Sequence, residues 1–265
     1  MSLYIKEKPE YLTQAIDSML NQTVPPDEIV IVEDGPLTDE LYEVIERYQK
    51  DFPNIFKIVI NEKNIGLGLS LNRGLQKCKN ELVARMDTDD ISKPMRCEKQ
   101  LQAFENDNSL SIVGSAVDEF LDDVSNVTGR RMVPKTCDEI YKFAKRRSAF
   151  NHPVVMYKKS DVLKFGGYSD LRRNQDVDLF GRMLHGGCKA MNFEESLLWF
   201  RSDNNLAKRR KSWINTKSYI ETIAKFRKMG YSSFADCIIV AIAQTVMYLC
   251  PIGVQNWLYK TFLRG

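Results

Sequence analysis

The 265-residue sequence predicts an α/β fold: a mostly parallel central sheet flanked by helices, with a C-terminal helical extension. Two observations carry this. Over residues 1–106, short apolar runs of strand length alternate with segments whose apolar residues recur at helical spacing, the pattern of a doubly wound sheet. Each run also ends in polar residues: Glu33 and Asp34, Asn61 and Asn64, then Asp87 and Asp89. Such a sheet gathers its strand ends along one edge, where α/β sheets bind ligands.

The elements follow in order. Pro9 opens a helix carrying Leu12, Ile16, Met19 and Leu20 to about Asn21. Ile29-Val30-Ile31-Val32 is a buried strand closed by Glu33-Asp34-Gly35-Pro36, and a helix follows through Leu41, Val44, Ile45 and Tyr48. Phe56 to Ile60 is the next strand and Leu69 to Cys78 the next helix. The strand at 81–86 feeds a polar turn, Asp87-Thr88-Asp89-Asp90, before Pro94 opens another helix. Beyond residue 107 the pattern loosens. Ser111 to Phe120, Val127 to Val133 and Pro153 to Met156 read as strands, and Cys137 to Arg146 and Asn174 to His185 as helices. The start is short, because only eight residues precede the first helix and Leu3-Tyr4-Ile5 is less than a full strand. A chain cut at its start, or assigned a start too late, is the expectation there.

Composition excludes several functions. A net charge of +3 gives no reason to expect nucleic acid as a partner. With only His152 and His185 and no paired cysteine motif, a zinc site is not expected, and the six cysteines read as reduced thiols of a cytosolic protein. No signal peptide is visible. Charge is uneven, however: residues 201–265 hold 11 Lys/Arg against 3 Asp/Glu. Such a basic tail suits phosphates or anionic lipid, and a solvated basic helix fits equally well.

Three carboxylates in the Asp87–Asp90 turn repel one another unless a cation is present, and a divalent ion shared with a diphosphate is the usual resolution. Taken alone, the motif also reads as a solvated turn ahead of a helix. Five segments in order narrow the choice. They are Tyr11-Leu12 with Ser18 to Thr23, Ile31-Val32-Glu33-Asp34-Gly35, Asn64 to Gly68 with Leu71 to Leu75, Arg85 to Asp90, and Gln175 to Phe180. Together, over about residues 3–210, they resemble the family 2 glycosyltransferases of the GT-A fold, most of all bacterial members that build capsule, exopolysaccharide or O-antigen chains.

The resemblance implies an inverting, metal-dependent hexosyltransferase acting in cell-surface polysaccharide synthesis. A catalytic region at 1–210 would comprise a nucleotide-sugar half (about 1–106) and an acceptor half (107–210), with the extension at 211–265. It implies a nucleotide-sugar site of Tyr4, Glu33, Asp34, Asn64, Gly66, Arg73, Asp87 and Thr88, with Asp34 at the base and Asp87 at the ribose or sugar. Asp89 would hold Mn²⁺ or Mg²⁺ on the diphosphate. Asp176 would be the catalytic base, beside Gln175 where the family commonly has Glu. His152 and Gln175 fall on the acceptor side, and Arg201 and Arg209 would reach the diphosphate. The implied donor is a UDP-sugar and the implied acceptor a glycan or lipid-linked glycan.

Phe234 to Tyr248 is apolar but too short and interrupted to span a bilayer, which takes about 20 residues. Trp257 to Arg264 mixes aromatics with cations, as an interfacial helix does, so residues 234–265 are read as a candidate peripheral contact at the inner face of the cytoplasmic membrane. A helical pair packed on the catalytic region is the alternative. A homodimer is left open. Two rival functions are a sugar-phosphate nucleotidyltransferase, which would carry a Gly-rich loop after its first strand, and an inactive sugar-nucleotide-binding scaffold, which Gln175 and the short start keep open.

Overall fold

The computed structural model describes residues 1–202, 211–251 and 253–255. Strand β1 (Ser2–Leu3), helix α1 (Pro9–Leu20), β2 (Ile29–Asp34), α2 (Asp39–Asp51), β3 (Phe56–Asn61) and α3 (Leu67–Lys77) form the alternating unit. Its sheet is parallel throughout, in the order β1-β2-β3. Every residue of β2 is buried, because helices cover both faces of a parallel sheet, so its run is continuously apolar until Glu33 and Asp34. Pro9 starts α1 where a missing N–H costs nothing, and Thr38 caps α2 by accepting from Leu41 N.

The next strand departs from the simple alternation. β4 (Leu82–Ala84) runs antiparallel to β8 (Met156–Lys158) in a second, mixed sheet ordered β4-β8-β6-β9-β5, with β7 on β6. β5 is Ile91–Ser92, β6 Leu110–Phe120, β7 Val127–Arg131 and β9 Lys189–Arg201. The fold class is therefore as expected, with the parallel strands concentrated in β1–β3 and in the long β6–β9 pair. Helix α4 (Arg96–Asn106) lies against β6, and α5 (Cys137–Ala144), α6 (Lys159–Lys164) and α7 (Gln175–His185) follow.

Of the Leu3-Tyr4-Ile5 run only Leu3 is in a strand, the two-residue β1. Met1 donates through its ammonium to Val30 O at 2.8 Å, and burial lowers that amine to a pKa of about 6. Beside it Met1, Val30, Ala84 and Tyr157 help line an apolar cavity of about 240 Å³.

Two helices close the described chain, α8 (Trp213–Lys228) and α9 (Phe234–Leu249). Phe226 of α8 presses on Gly181 of α7 so closely that a Cβ there would lie 2.0 Å from the ring. The extension is thus docked on the body at its α8 end. All six cysteines are free, Cys97 buried and the others half-buried, and no helix among the described residues is long and apolar enough to cross a membrane.

Candidate functional site

The acidic turn is built from below. Arg96, fully buried at the start of α4, donates through Nη2 to Arg85 O at 2.5 Å and through Nε to Gln100 Oε1 at 3.1 Å. Gln100 in turn donates to Val113 O and Val154 O, so the strand end is tied to the mixed sheet. Arg85 pairs with Asp87, and Arg201 holds the far side: its N–H donates to Asp90 Oδ1 at 2.8 Å and its Nε to Asp89 O at 2.7 Å.

Held this way, one carboxylate oxygen from each of Asp87, Asp89 and Asp90 lies within 4.8 Å of the others. Burial and repulsion from Asp87 and Glu7 raise Asp89 to a pKa of about 7. Burial, Asp89 and Asp87 push Asp90 well above its ordinary range, and its buried Oδ2 has no partner among the described residues. Three convergent hard oxygen donors with surplus negative charge fit Mn²⁺ or Mg²⁺.

Asp87 and Asp89 open on a cleft of about 690 Å³, which Tyr4, Asp34, Asn64, Gly66 and Thr88 also line, while Asp90 lies buried beneath. Asp34 organises its floor. Its carboxylate accepts from the amides of Ile65 (2.7 Å) and Gly66 (3.1 Å) and from Asn61 Nδ2 (3.2 Å), fixing the loop into α3. Gly66 adopts φ +92°, a left-handed conformation that glycine enters without steric cost. Thr88 donates to Glu7 Oε2 at 2.7 Å.

Other expectations are corrected. Glu33 does not line the cleft; strand alternation turns it away from the direction of Asp34, and burial raises its pKa. Arg73 is exposed on α3 and outside the cleft, whereas its neighbour Asn72 points inward and grips Tyr168, donating to its carbonyl at 2.7 Å and accepting from its amide at 2.8 Å. Arg201 does line the cleft, but its Nε and Nη2 are engaged by Asp89 O and Gln14, and its guanidinium stacks 3.9 Å from the Tyr11 ring centre. It braces the turn. Arg209 lies outside the described residues.

Of the residues expected on the acceptor side, His152 sits in a single 3₁₀ turn (His152–Val154) with Nε2 2.8 Å from Tyr168 Oη. Burial and the nearby Arg85 hold the imidazole well below its usual pKa, so it is neutral, and it is not among the cleft-lining residues. Gln175 and Asp176 begin α7. Gln175 is buried with Oε1 unpartnered among the described residues. Asp176 is half-buried and, like Gln175, is not among the cleft-lining residues; burial raises its pKa, while backbone N–H bonds from Val177 and from its own residue, and Arg85, oppose the rise. Asp178 is fully buried and bonded to Ser169, Arg182 and Lys225, a structural carboxylate as its position two residues along predicts.

Several residues were missed by sequence reasoning. Lys6 and Lys8 enter the cleft from the β1–α1 loop, Tyr11 from the first turn of α1, and Arg172 and Arg173 from the segment before α7. Local signals existed for Tyr11, which belongs to the first of the five segments, and for the Arg172-Arg173 cluster beside the Gln175-Asp176 motif.

An alternating parallel unit joined to a mixed sheet, with a carboxylate cluster at a strand end, is the architecture of GT-A glycosyltransferases. Over 98% of its length the chain superposes with TM-score 0.65 on a mannosyltransferase from Pyrobaculum calidifontis in complex with GDP-Man and Mn²⁺ (74% of that chain, 14% identity). The TM-score is 0.63 with S. aureus TarS 1–349 in complex with UDP-GlcNAc (98% of this chain, 72% of that one, 15% identity). The chain belongs to glycosyl transferase family 2, whose model matches residues 3–169. Among its relatives is a UDP-Gal:alpha-D-GlcNAc-diphosphoundecaprenol beta-1,3-galactosyltransferase of Escherichia coli, 35% identical over 100% of this chain and 95% of the relative. Another is the amylovoran biosynthesis glycosyltransferase AmsE of Erwinia amylovora, 34% identical over 100% and 98%.

Proposed function

We propose that this protein transfers a sugar, with inversion, from a UDP-sugar to a hydroxyl of a lipid-linked glycan at the cytoplasmic face of a membrane, for cell-surface polysaccharide synthesis. The observation that carries it is the convergence of Asp87, Asp89 and Asp90, the first two of which line the same cleft as Asp34 and Gly66. The donor and acceptor classes come from the 35%-identical galactosyltransferase, which makes UDP-galactose the first donor to test.

Asp34, Asn64 and Tyr4 line the part of the cleft assigned to the nucleoside, with Thr88 and Asp87 toward the ribose and sugar. Asp89, with Asp87 and Asp90, would hold Mn²⁺ or Mg²⁺. When bound, that ion offsets the negative charge that develops on the diphosphate leaving group. Lys6, Lys8, Arg172 and Arg173 add positive charge around the same cleft. Asp176 takes the proton from the acceptor hydroxyl as it attacks the anomeric carbon opposite the leaving group. Its raised pKa, from burial at the start of an 11-residue helix, suits a general base. Gln175 beside it supplies an unpartnered carbonyl oxygen in place of a second carboxylate.

Calorimetry with UDP, with and without Mn²⁺, tests the donor site on the wild type and Asp89→Ala. Expected is UDP binding that needs Mn²⁺ and disappears in the variant, and Asp176→Asn that binds UDP yet transfers nothing. A scaffold reading takes over if UDP binds, no sugar reaches a GlcNAc-diphospholipid, and pathway output survives Asp176→Asn.

A further inference from the structure

Helix α9 has 16 residues and one charge, Asp236, which is turned inward. There it caps its own helix through Ser233 and pairs with Arg146. Every exposed residue of its outward face is apolar. Phe234, Ile238, Ile239, Ile242, Val246 and Leu249 are between 43% and 70% exposed, and at about 100° per residue they fall on one arc of roughly 140°. At about 1.5 Å per residue that stripe runs roughly 24 Å. Trp213 and Ile214 of α8, 51% and 58% exposed, extend it, since Trp213 packs 5.5 Å from Tyr248 near the far end of α9. Soluble monomers rarely leave so continuous an apolar face uncovered.

The rim says what covers it. Arg227 lies 4.7 Å over the Phe234 ring, and Lys228 is exposed on the same helix pair, as is Lys217, which pairs with Glu221 at 3.7 Å. The described residues 211–251 hold five Lys/Arg against two Asp/Glu, and one of those acids, Asp236, is buried. A second copy placed face to face would set cation against cation, whereas anionic lipid headgroups complement the rim while acyl chains take the stripe. We propose that α9 lies in the interface of an anionic bilayer, its Phe234–Leu249 stripe inserted and its cationic rim at the headgroups, with Trp213 at the boundary. This rests on the reading of a lipid-linked acceptor, which would lie in the same membrane. It moves the expected contact within 234–265 onto a particular face of α9 and adds α8; Trp257 to Arg264 lie outside the described residues.

The test is flotation of the full chain with vesicles of phosphatidylcholine alone or mixed with phosphatidylglycerol, at low and high salt. The wild type should float with the anionic vesicles, and much less with neutral ones or at high salt. Ile238→Glu/Ile242→Glu should float at least tenfold less at an unchanged melting temperature, because both side chains are exposed. Arg227→Glu/Lys228→Glu should lose the preference for anionic lipid. Wild type that stays with the soluble fraction, or an Ile238→Glu/Ile242→Glu variant that floats normally, overturns the proposal. So does a wild-type dimer in solution that this variant splits, which would assign the face to a second copy. UDP binding and transfer to a short-chain, detergent-soluble acceptor are measured alongside. Their failure with flotation intact sinks only the proposed reaction, and lost flotation with both intact sinks only the membrane face.

Discussion

The acidic turn at residues 87–90 and the carboxylate at Asp178 gather buried charge in opposite ways. Around Asp178, Ser169, Arg182 and Lys225 converge at 2.5–2.9 Å. Burial alone would raise its pKa, but these partners outweigh it and hold the group below its usual range. In the turn, carboxylates face carboxylates, and Asp89 and Asp90 are both raised. Balanced charge marks a staple between α7 and α8, and the surplus of negative charge in the turn supports its reading as the proposed metal site. Asp176 and Asp178 show the same contrast two residues apart on one helix, the first half-buried with only backbone donors, the second fully neutralised by cations.

Substitutions can break that comparison. Asp89→Ala should lower the transfer rate by about 10²–10³-fold, the usual effect of deleting a main electrostatic stabiliser, while leaving metal-free stability equal or higher. A radiolabelled sugar-transfer assay beside a urea melt would show both, and a stability loss above about 1 kcal/mol would make the turn a staple after all. Asp178→Ala should do the reverse. Stranding Arg182 and Lys225 costs about 3 kcal/mol, discounted because Lys225 is partly exposed, with UDP affinity per folded molecule unchanged.

Titration sharpens the contrast. A carboxylate whose folded pKa is raised keeps its proton more tightly when folded, so it favours folding below its unfolded pKa and loses that advantage as pH rises through the folded value. Metal-free protein should therefore lose part of its stability between about pH 4 and the Asp89 value of about 7, and Mn²⁺ at pH 7 should restore it. Thermal melts across pH with and without Mn²⁺ would show it; equal Mn²⁺ shifts at pH 4 and pH 7 contradict it. The smallest effect concerns Asn174, the one described non-glycine residue with positive φ (+60°), just before Gln175 and Asp176. Asn174→Gly should be tolerated, and Asn174→Ala should cost about 1 kcal/mol. Equal melts for the two would remove any strain at the start of α7.

Much of the parallel unit was legible because its signals are local. The apolar run of β2, the Pro9 start of α1 and the helical spacing of α2 and α3 each lie within about a dozen residues, and so does the carboxylate spacing of the Asp87–Asp90 turn. Strand β9 was not legible. Its buried interior includes Asn192 and Ser196, and Asn192 belongs there only because the Pro134 and Ala149 carbonyls accept its amide. The antiparallel place of β4 depends likewise on β8, more than 70 residues away.

The sequence by itself determined the alternating α/β unit, the acidic strand end and the order of motifs that marks the family. Tertiary structure decided that Arg201 braces the turn, that Asn72 rather than Arg73 faces inward, and that Asp178 is a staple while Asp176 is not. Those roles depend on hydrogen-bond partners up to 187 residues apart, as between Arg201 and Gln14, and no local pattern encodes a partner that only the folded chain brings near.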